Sequence, residues 1–230
     1  MASLISTDLS LFDERVNEIM SDTPYSEVKD TINTLKSELL KNKNIAALCA
    51  PQINKELRLF VVKTADKKFD VFLNPMVVTK SKEIHLSMEE NPSIPDKKFI
   101  IPRYNEVHVA FQTHDGHVDS KTYKGAYGEV VQQMIQMLDG ITLADYGLDL
   151  DDVGGYKAWD RASKADKQEV IQMYLDSLRK LSDSFDKEIS ENPELKAIND
   201  QIEFTTKYLL GEVKPVDSDG NIVEAKKDTE

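Results

Sequence analysis

Apolar residues recur at helical spacing in two segments of the first two thirds of the chain. In the first segment, four such residues fall on one stripe, which predicts a helix over residues 26–42 with Ser26 as its N-cap. The stripe consists of Val28, Ile32, Leu35 and Leu39. The second segment predicts a helix over residues 128–139, with Gly140 in the position of a C-cap glycine.

Strands are predicted where Val and Phe are frequent, at residues 57–63, 69–79 and 106–113. The last of these segments alternates apolar and polar residues, and Asp115-Gly116 then supplies a hairpin turn. Residues 1–147 are therefore predicted to form one α+β domain, with short antiparallel strands around a central helix.

The final third of the chain has a different pattern. Apolar residues recur every three or four positions over residues 164–191, which predicts a long helix that ends at Asn192-Pro193. A second helix is predicted to run to Leu210, so that residues 148–211 form an antiparallel helical hairpin. Residues 212–230 are predicted to be an acidic, disordered tail.

The charge of the chain excludes two classes of partner. Its 230 residues include 41 acidic and 29 basic ones, which gives a formal net charge of −12. Such a surface repels nucleic acids, and no stretch is long and apolar enough for a membrane helix, so neither nucleic acid nor a membrane is expected as a partner. The one cysteine, Cys49, cannot form an intramolecular disulfide, which favours a reducing cytoplasm.

Three segments carry the candidate chemistry: residues 45–53 (IAALCAPQI), 89–95 (EENPSIP) and 132–140 (QQMIQMLDG). In this order they resemble the three motifs of the peptide deformylases, which read GxGLAAxQ, EGCLS and QHExDHxxG. The connecting segments RLFVV, FLNPMVV and IPR also resemble that family. The resemblance implies a peptide-deformylase-like fold over about residues 31–146.

The resemblance implies that a Cys and two His hold a divalent metal ion and that a Glu acts as general acid and base. Here the ligand positions are Asn91, Gln133 and Met137, and the Glu position is Met134. Amide oxygens and thioethers are poor ligands for Zn²⁺ or Fe²⁺, and a Met carries no exchangeable proton. We therefore expect no metal, no cofactor and no catalysis, and hence a chain that is not an enzyme. Without the resemblance, Gln133 and Met137 are simply core or boundary residues on one helix face.

Stabilisation of a developing oxyanion is also predicted to be incomplete. In the family, the Gln of the first motif and the backbone N–H after the Cys provide it. Gln52 is retained, but the residue after the Cys position is Pro92, which has no N–H to donate. Ile45 and Ala47 replace the two glycines of the first motif, which should narrow the pocket.

A deformylase-like scaffold with a degenerate site predicts a function in binding another protein. The chain resembles a family of T4-like phage proteins that inhibit the prohead protease. The implied partner is a phage prohead protease or a capsid component, met in the host cytoplasm or packaged in the phage head. The tail segment Ile222-Val223-Glu224 fits the Ile/Leu/Phe-x-Glu pattern that the resemblance assigns to that protease, and is a candidate partner-binding segment.

Two other functions remain open from the sequence. The chain could be a structural component of a capsid or its core, held in place by the helical hairpin. It could also be a residual small-ligand or formyl-peptide binder of deformylase ancestry that uses Gln52.

Overall fold

The computed structural model of the chain describes residues 4–64 and 68–191. The chain divides into two compact units, of which the first ends at Lys164 and the second begins at Ala165. In the second unit the described element is the helix α5 (Lys164–Glu191), whose bounds agree with the predicted ones.

The first unit is built on a five-stranded antiparallel sheet in the order β1-β2-β3-β6-β7. Its strands are β1 (Ala47–Cys49), β2 (Leu59–Lys63), β3 (Phe69–Lys80), β6 (Glu106–Gln112) and β7 (Val118–Lys124). Successive side chains of a strand point to opposite faces. In β2, Phe60 and Val62 accordingly enter one apolar cluster, whereas Leu59 and Val61 enter another.

A second, three-stranded antiparallel sheet has the order β4-β5-β8. Its strands are β4 (Ile84–Asn91), β5 (Ile94–Tyr104) and β8 (Leu148–Asp149). The turn between β4 and β5 is tight, because Asn91 pairs directly with Ile94. This turn places the second motif at the tip of a long hairpin.

Two helices cover the two faces of the five-stranded sheet. Helix α1 (Tyr25–Lys41) contributes its apolar stripe to the cluster that contains Leu59 and Val61. Helix α2 (Gly125–Leu138) packs against the other face and contributes Val131, Met134, Ile135 and Leu138, which recur at helical spacing. Two short helices follow: α3 (Leu143–Tyr146) and α4 (Tyr156–Arg161).

Several predicted boundaries differ from the structure. Helix α1 begins at Tyr25, so Ser26 lies inside it, and the N-cap is Pro24, which makes no side-chain capping bond. Helix α2 begins at Gly125, three residues earlier than predicted, and Gly140 follows its C-cap with a φ of +81°.

The first unit extends to Lys164 rather than to residue 147, because Leu148 and Asp149 form β8 and pair with β5. The predicted second helix and the acidic tail, including Ile222, Val223 and Glu224, lie outside the described residues. None of the helices that the structure describes has the length and apolar character needed to cross a membrane.

Candidate functional site

The three motifs meet at one place in the first unit. The first motif forms β1 and the 3-10 turn Ala50–Ile53, the second forms the end of β4 and its turn, and the third lies on α2. The structure therefore brings together Gln52, Asn91, Gln133 and Met137, as the motif order predicted.

Gln52 is completely buried, and all the hydrogen-bonding capacity of its amide is used inside the protein. Its Oε1 accepts the backbone N–H of Cys49 at 3.0 Å and the thiol of the same residue at 3.4 Å. Its Nε2 donates to Asn91 Oδ1 at 3.2 Å and to Ser93 Oγ at 3.1 Å. Burial raises the pKa of the Cys49 thiol to about 12, so this group stays protonated.

Asn91 occupies the position that the resemblance assigns to the metal-binding Cys, and it links the first motif to the third. Its Oδ1 accepts hydrogen bonds from Gln52 and from the backbone N–H of Ser93, the latter at 2.9 Å. Its Nδ2 donates to Gln133 Oε1 at 3.0 Å and to Met137 Sδ at 3.1 Å. One side chain thus connects Gln52 of the first motif to Gln133 and Met137 of the third.

Gln133 continues the network to a buried ion pair. Its Nε2 donates to Glu89 Oε2 at 2.7 Å. Both oxygens of Glu89 accept from Arg103, from Nε and from Nη2, at 2.6 Å each. Burial opposes the charge of Arg103, but the hydrogen bonds and the charge of Glu89 outweigh it and raise the pKa of Arg103.

The far side of Arg103 is also occupied. Its Nη1 donates to Gln136 Oε1 and, at 3.2 Å, to the hydroxyl of Tyr146. The same hydroxyl donates to Gln136 Oε1 at 2.5 Å. No role was predicted from the sequence for Glu89, Arg103, Gln136 or Tyr146, although the first three lie in or beside the motif segments. The sequence carries no signal for the pair of Glu89 and Arg103, because nothing in it shows that Arg103 is buried or that it contacts Glu89.

We call the six side chains Cys49, Gln52, Asn91, Gln133, Glu89 and Arg103 the polar network. Met134, at the position of the family's catalytic Glu, does not belong to it, because its side chain is 1% exposed and packs in the apolar core. Among residues 4–64 and 68–191, no three His, Cys, Asp or Glu side chains converge in a way that could hold a metal ion.

The residues at the centre do not fit the divalent metal that the fold family implies. Zn²⁺ and Fe²⁺ sites use thiolate, imidazole and carboxylate ligands, whereas the donors here are two amides and a thioether. The amide oxygens of Asn91 and Gln133 already accept hydrogen bonds from within the network. We therefore derive no chemical step through a metal ion.

A groove of about 400 Å³ opens beside the polar network. It is bounded by residues 44–47 leading into β1, by the β4–β5 hairpin and by residues 126–134 of α2. Ile45 and Ala47 line it, and Pro92 lines it at the hairpin tip; that the first two narrow it stays a prediction. Gln133 is half-buried and belongs to both the network and the groove.

Glu129 fixes one wall of the groove. It accepts from Ser87 Oγ at 2.9 Å and lies 2.8 Å from His85 Nε2, so that β4 is tied to α2. The other ring nitrogen of His85 lies 2.8 Å from Asn105 Oδ1. The bond to Glu129, and then the bond to Asn105, raise the pKa of His85.

The class of protein follows from comparison with known families and structures, which point to the polypeptide deformylases. The model of that family matches residues 8–152, and the chain belongs to this family. A peptide deformylase of Pseudothermotoga lettingae is 31% identical over 132 residues, which are 57% of this chain and 71% of that protein. The predicted resemblance to the peptide deformylases is thus confirmed.

Solved structures of peptide deformylases have a similar fold. A probable peptide deformylase from Synechococcus phage S-SSM7 is 26% identical, with a TM-score of 0.57 over 62% of this chain and 97% of that one. A class I type b peptide deformylase from Acinetobacter baumannii, solved with Met-Ala-Ser bound, is 19% identical, with a TM-score of 0.54 over 59% of this chain and 91% of that one. The predicted α+β, peptide-deformylase-like fold class is confirmed.

The expectation that the chain is not an enzyme is wrong. It followed from the changed residues of the site alone, whereas the family and the relatives that the chain matches are peptide deformylases, which are enzymes. The polar network describes the chemistry of the centre in this chain and does not show that the chain is inactive.

Proposed function

We propose that the chain binds an extended segment of another protein in the groove beside the polar network. The observation that carries the proposal is the position of the groove between two strand edges. On one side lies the segment leading into β1, an edge strand of the large sheet, and on the other lies β4, an edge strand of the small sheet. Unpaired strand edges bind extended peptides by main-chain hydrogen bonds.

The lining of the groove favours an apolar side chain in the bound segment. Several apolar side chains line it, and Met88 among them is 44% exposed. They include Ile45, Met88, Ile94 and Val130. Burying one apolar side chain of a partner against this surface supplies about 2 kcal/mol.

The charge of the groove favours basic residues in the same segment. Four acidic side chains and one lysine line it. These are Glu89, Glu90, Asp96, Glu129 and Lys97. Arg103 balances the charge of Glu89 and Lys98 pairs with Glu90. Asp96 and Glu129 remain, and Lys97 is itself paired with Asp149. An acidic peptide would be repelled, whereas a basic one would be attracted.

The tripeptide Met-Ala-Ser bound to the Acinetobacter baumannii deformylase supports a peptide as the class of ligand. The test uses short fluorescein-labelled peptides with the same apolar residues and either Lys or Glu beside them. We expect the Lys peptide to bind with a Kd of about 10 μM. We expect the Glu peptide to bind about tenfold more weakly at low salt, and the difference to shrink at high salt. Fluorescence anisotropy measures both.

A matched pair of variants locates the binding. Ala46 is exposed and lines the groove, whereas Ala144 on α3 is exposed and does not. We expect Ala46→Trp to weaken binding of the Lys peptide at least tenfold by filling the groove, and Ala144→Trp to leave it unchanged. Equal affinities of the two variants, or no binding of either peptide to the full chain, would refute the proposal.

Membership of the family favours a second candidate function, which is peptide deformylation itself. Formylated Met-Ala-Ser is the direct probe, with release of formate as the readout. A rate that is proportional to protein concentration, and that Ala46→Trp abolishes, would establish deformylation as the function. Binding of the Lys peptide without formate release would mean that the chain binds peptides but does not deformylate them.

The particular partner that we propose is a phage prohead protease, with a capsid component as the alternative. The phage origin of one similar structure supports a phage setting for this chain. If the protease is bound and inhibited through the tail, deleting residues 212–230 should abolish the inhibition. Undiminished inhibition by the truncated chain would remove Ile222, Val223 and Glu224 from the binding surface.

A further inference from the structure

We infer that the polar network, rather than a divalent metal ion, ties the three motifs of this chain together. The network joins positions that are far apart in the sequence. Gln52 and Asn91 are 39 residues apart, and Asn91 and Gln133 are 42 apart. Each link is a direct side-chain hydrogen bond of 3.2 Å or less. The inference does not depend on the proposed function.

The two central amides of the network, those of Gln52 and Asn91, are fully hydrogen-bonded. An amide side chain offers two N–H donors and an oxygen with two lone pairs. Asn91 uses both donors and both lone pairs, and so does Gln52. The sulfur of Met137 already accepts from Asn91. No lone pair of these two amides is left for a cation.

Burial makes these hydrogen bonds costly to break. Gln52 is fully buried, Asn91 is 3% exposed and Met137 is 3% exposed. A cation that entered among them would have to displace hydrogen bonds whose partners could not reach water.

The chemistry of the network also explains why neutral side chains suit this place. Amide groups satisfy one another without the desolvation cost of an unpaired charge. The one charged pair, Glu89 and Arg103, is bidentate and balanced within the network. Gln133 connects the amides to that pair by donating to Glu89.

The test begins with the full chain as purified. We expect no stoichiometric Zn, Fe, Ni or Co by elemental analysis, and a melting temperature that neither EDTA nor added Zn²⁺ or Ni²⁺ changes. A stoichiometric metal whose removal lowers the melting temperature would overturn the inference. This measurement needs no activity and no variant.

The tie itself is tested by Asn91→Ala. Loss of its four hydrogen bonds should lower the melting temperature by about 5 °C or more. Glu90→Ala is the matched control, because Glu90 is the preceding residue but is exposed and lies outside the network. An unchanged melting temperature in Asn91→Ala would show that the network does not hold the motifs together.

A converse variant asks whether the scaffold accepts a metal once its donors are changed. We expect the combined variant Asn91→Cys, Gln133→His and Met137→His to bind Co²⁺ with a thiolate-to-metal absorption band, and to gain melting temperature when the metal is added. The wild-type chain should show neither effect. A cobalt–ligand spectrum in the wild-type chain would contradict the inference, whether or not the combined variant folds.

Discussion

Arg103 carries its positive charge at 1% exposure, and the carboxylate of Glu89 is the group that balances it. Removing one partner of a buried pair leaves the other charge without compensation. We therefore expect Glu89→Gln, which preserves the shape of the side chain, to lower the free energy of unfolding by about 3 kcal/mol. Urea unfolding followed by circular dichroism measures the loss.

The control for this variant is the neighbouring carboxylate. Glu90 pairs with Lys98, but its side chain is 64% exposed, so solvent screens the interaction. Glu90→Gln should change the free energy of unfolding by less than about 0.5 kcal/mol. If the two variants lost equal stability, the charge balance at Arg103 would not be the cause.

Some contacts of the site could be predicted from the sequence and others could not. The convergence of Gln52, Asn91 and Gln133 could be predicted, because these residues lie in three motifs whose order matches that of the deformylases. The pairing of Glu89 with Arg103 could not, because it depends on side chains 14 residues apart on two strands whose register was unknown. No local pattern reports the register of a hairpin with a Pro in its turn.

At the scale of elements, the end of α2 is fixed by a close backbone approach. Gly140 has a φ of +81°, and a Cβ on it would lie 3.0 Å from the carbonyl carbon of Glu14. We expect Gly140→Ala to lower the free energy of unfolding by about 3 kcal/mol, since the left-handed backbone and the crowding both add. Thermal and urea unfolding of the variant measure this value.

Gly116 in the β6–β7 turn serves as the control that separates backbone strain from steric crowding. Its φ is +86°, but a Cβ there would meet nothing within 4 Å. Gly116→Ala should therefore cost about 1 kcal/mol, the strain of the left-handed region alone. Equal losses in the two variants would mean that the N-terminal segment moves away from Gly140 without cost.

The elements differ in how well their pattern predicted them. Helices α1 and α2 were predicted because their apolar stripes face the core. Strand β4 was missed, and its burial pattern supplies the reason. Its buried side chains include Ser87, Glu89 and Asn91, whereas Ile84 and Met88 are 53% and 44% exposed. The polar residues of β4 face inward, where Glu89 and Asn91 belong to the polar network. The rule that apolar side chains face the core therefore predicts the wrong buried face for this strand.

At the scale of the whole molecule, the end of the first unit could not be predicted from composition. The change in charge and pattern after residue 147 suggested a new domain. In the structure, β8 pairs with Phe99 and Ile100 of β5, and Leu150 is 1% exposed in a 3-10 turn that packs against the same strand. A two-residue strand leaves no periodic signal, so its pairing appears only in three dimensions.

This boundary predicts how two fragments of the chain should behave. A fragment of residues 1–164 should unfold cooperatively as a stable unit. A fragment of residues 1–147 lacks β8 and the buried Leu150, and should be less stable by about 3 kcal/mol, from lost apolar burial and lost strand pairing. Urea unfolding of both fragments compares them directly. The variant Leu150→Ala in the longer fragment is the control, and it should reproduce most of the loss. If residues 1–147 unfolded at the same urea concentration as residues 1–164, the unit would end where the charge changes and β8 would be dispensable.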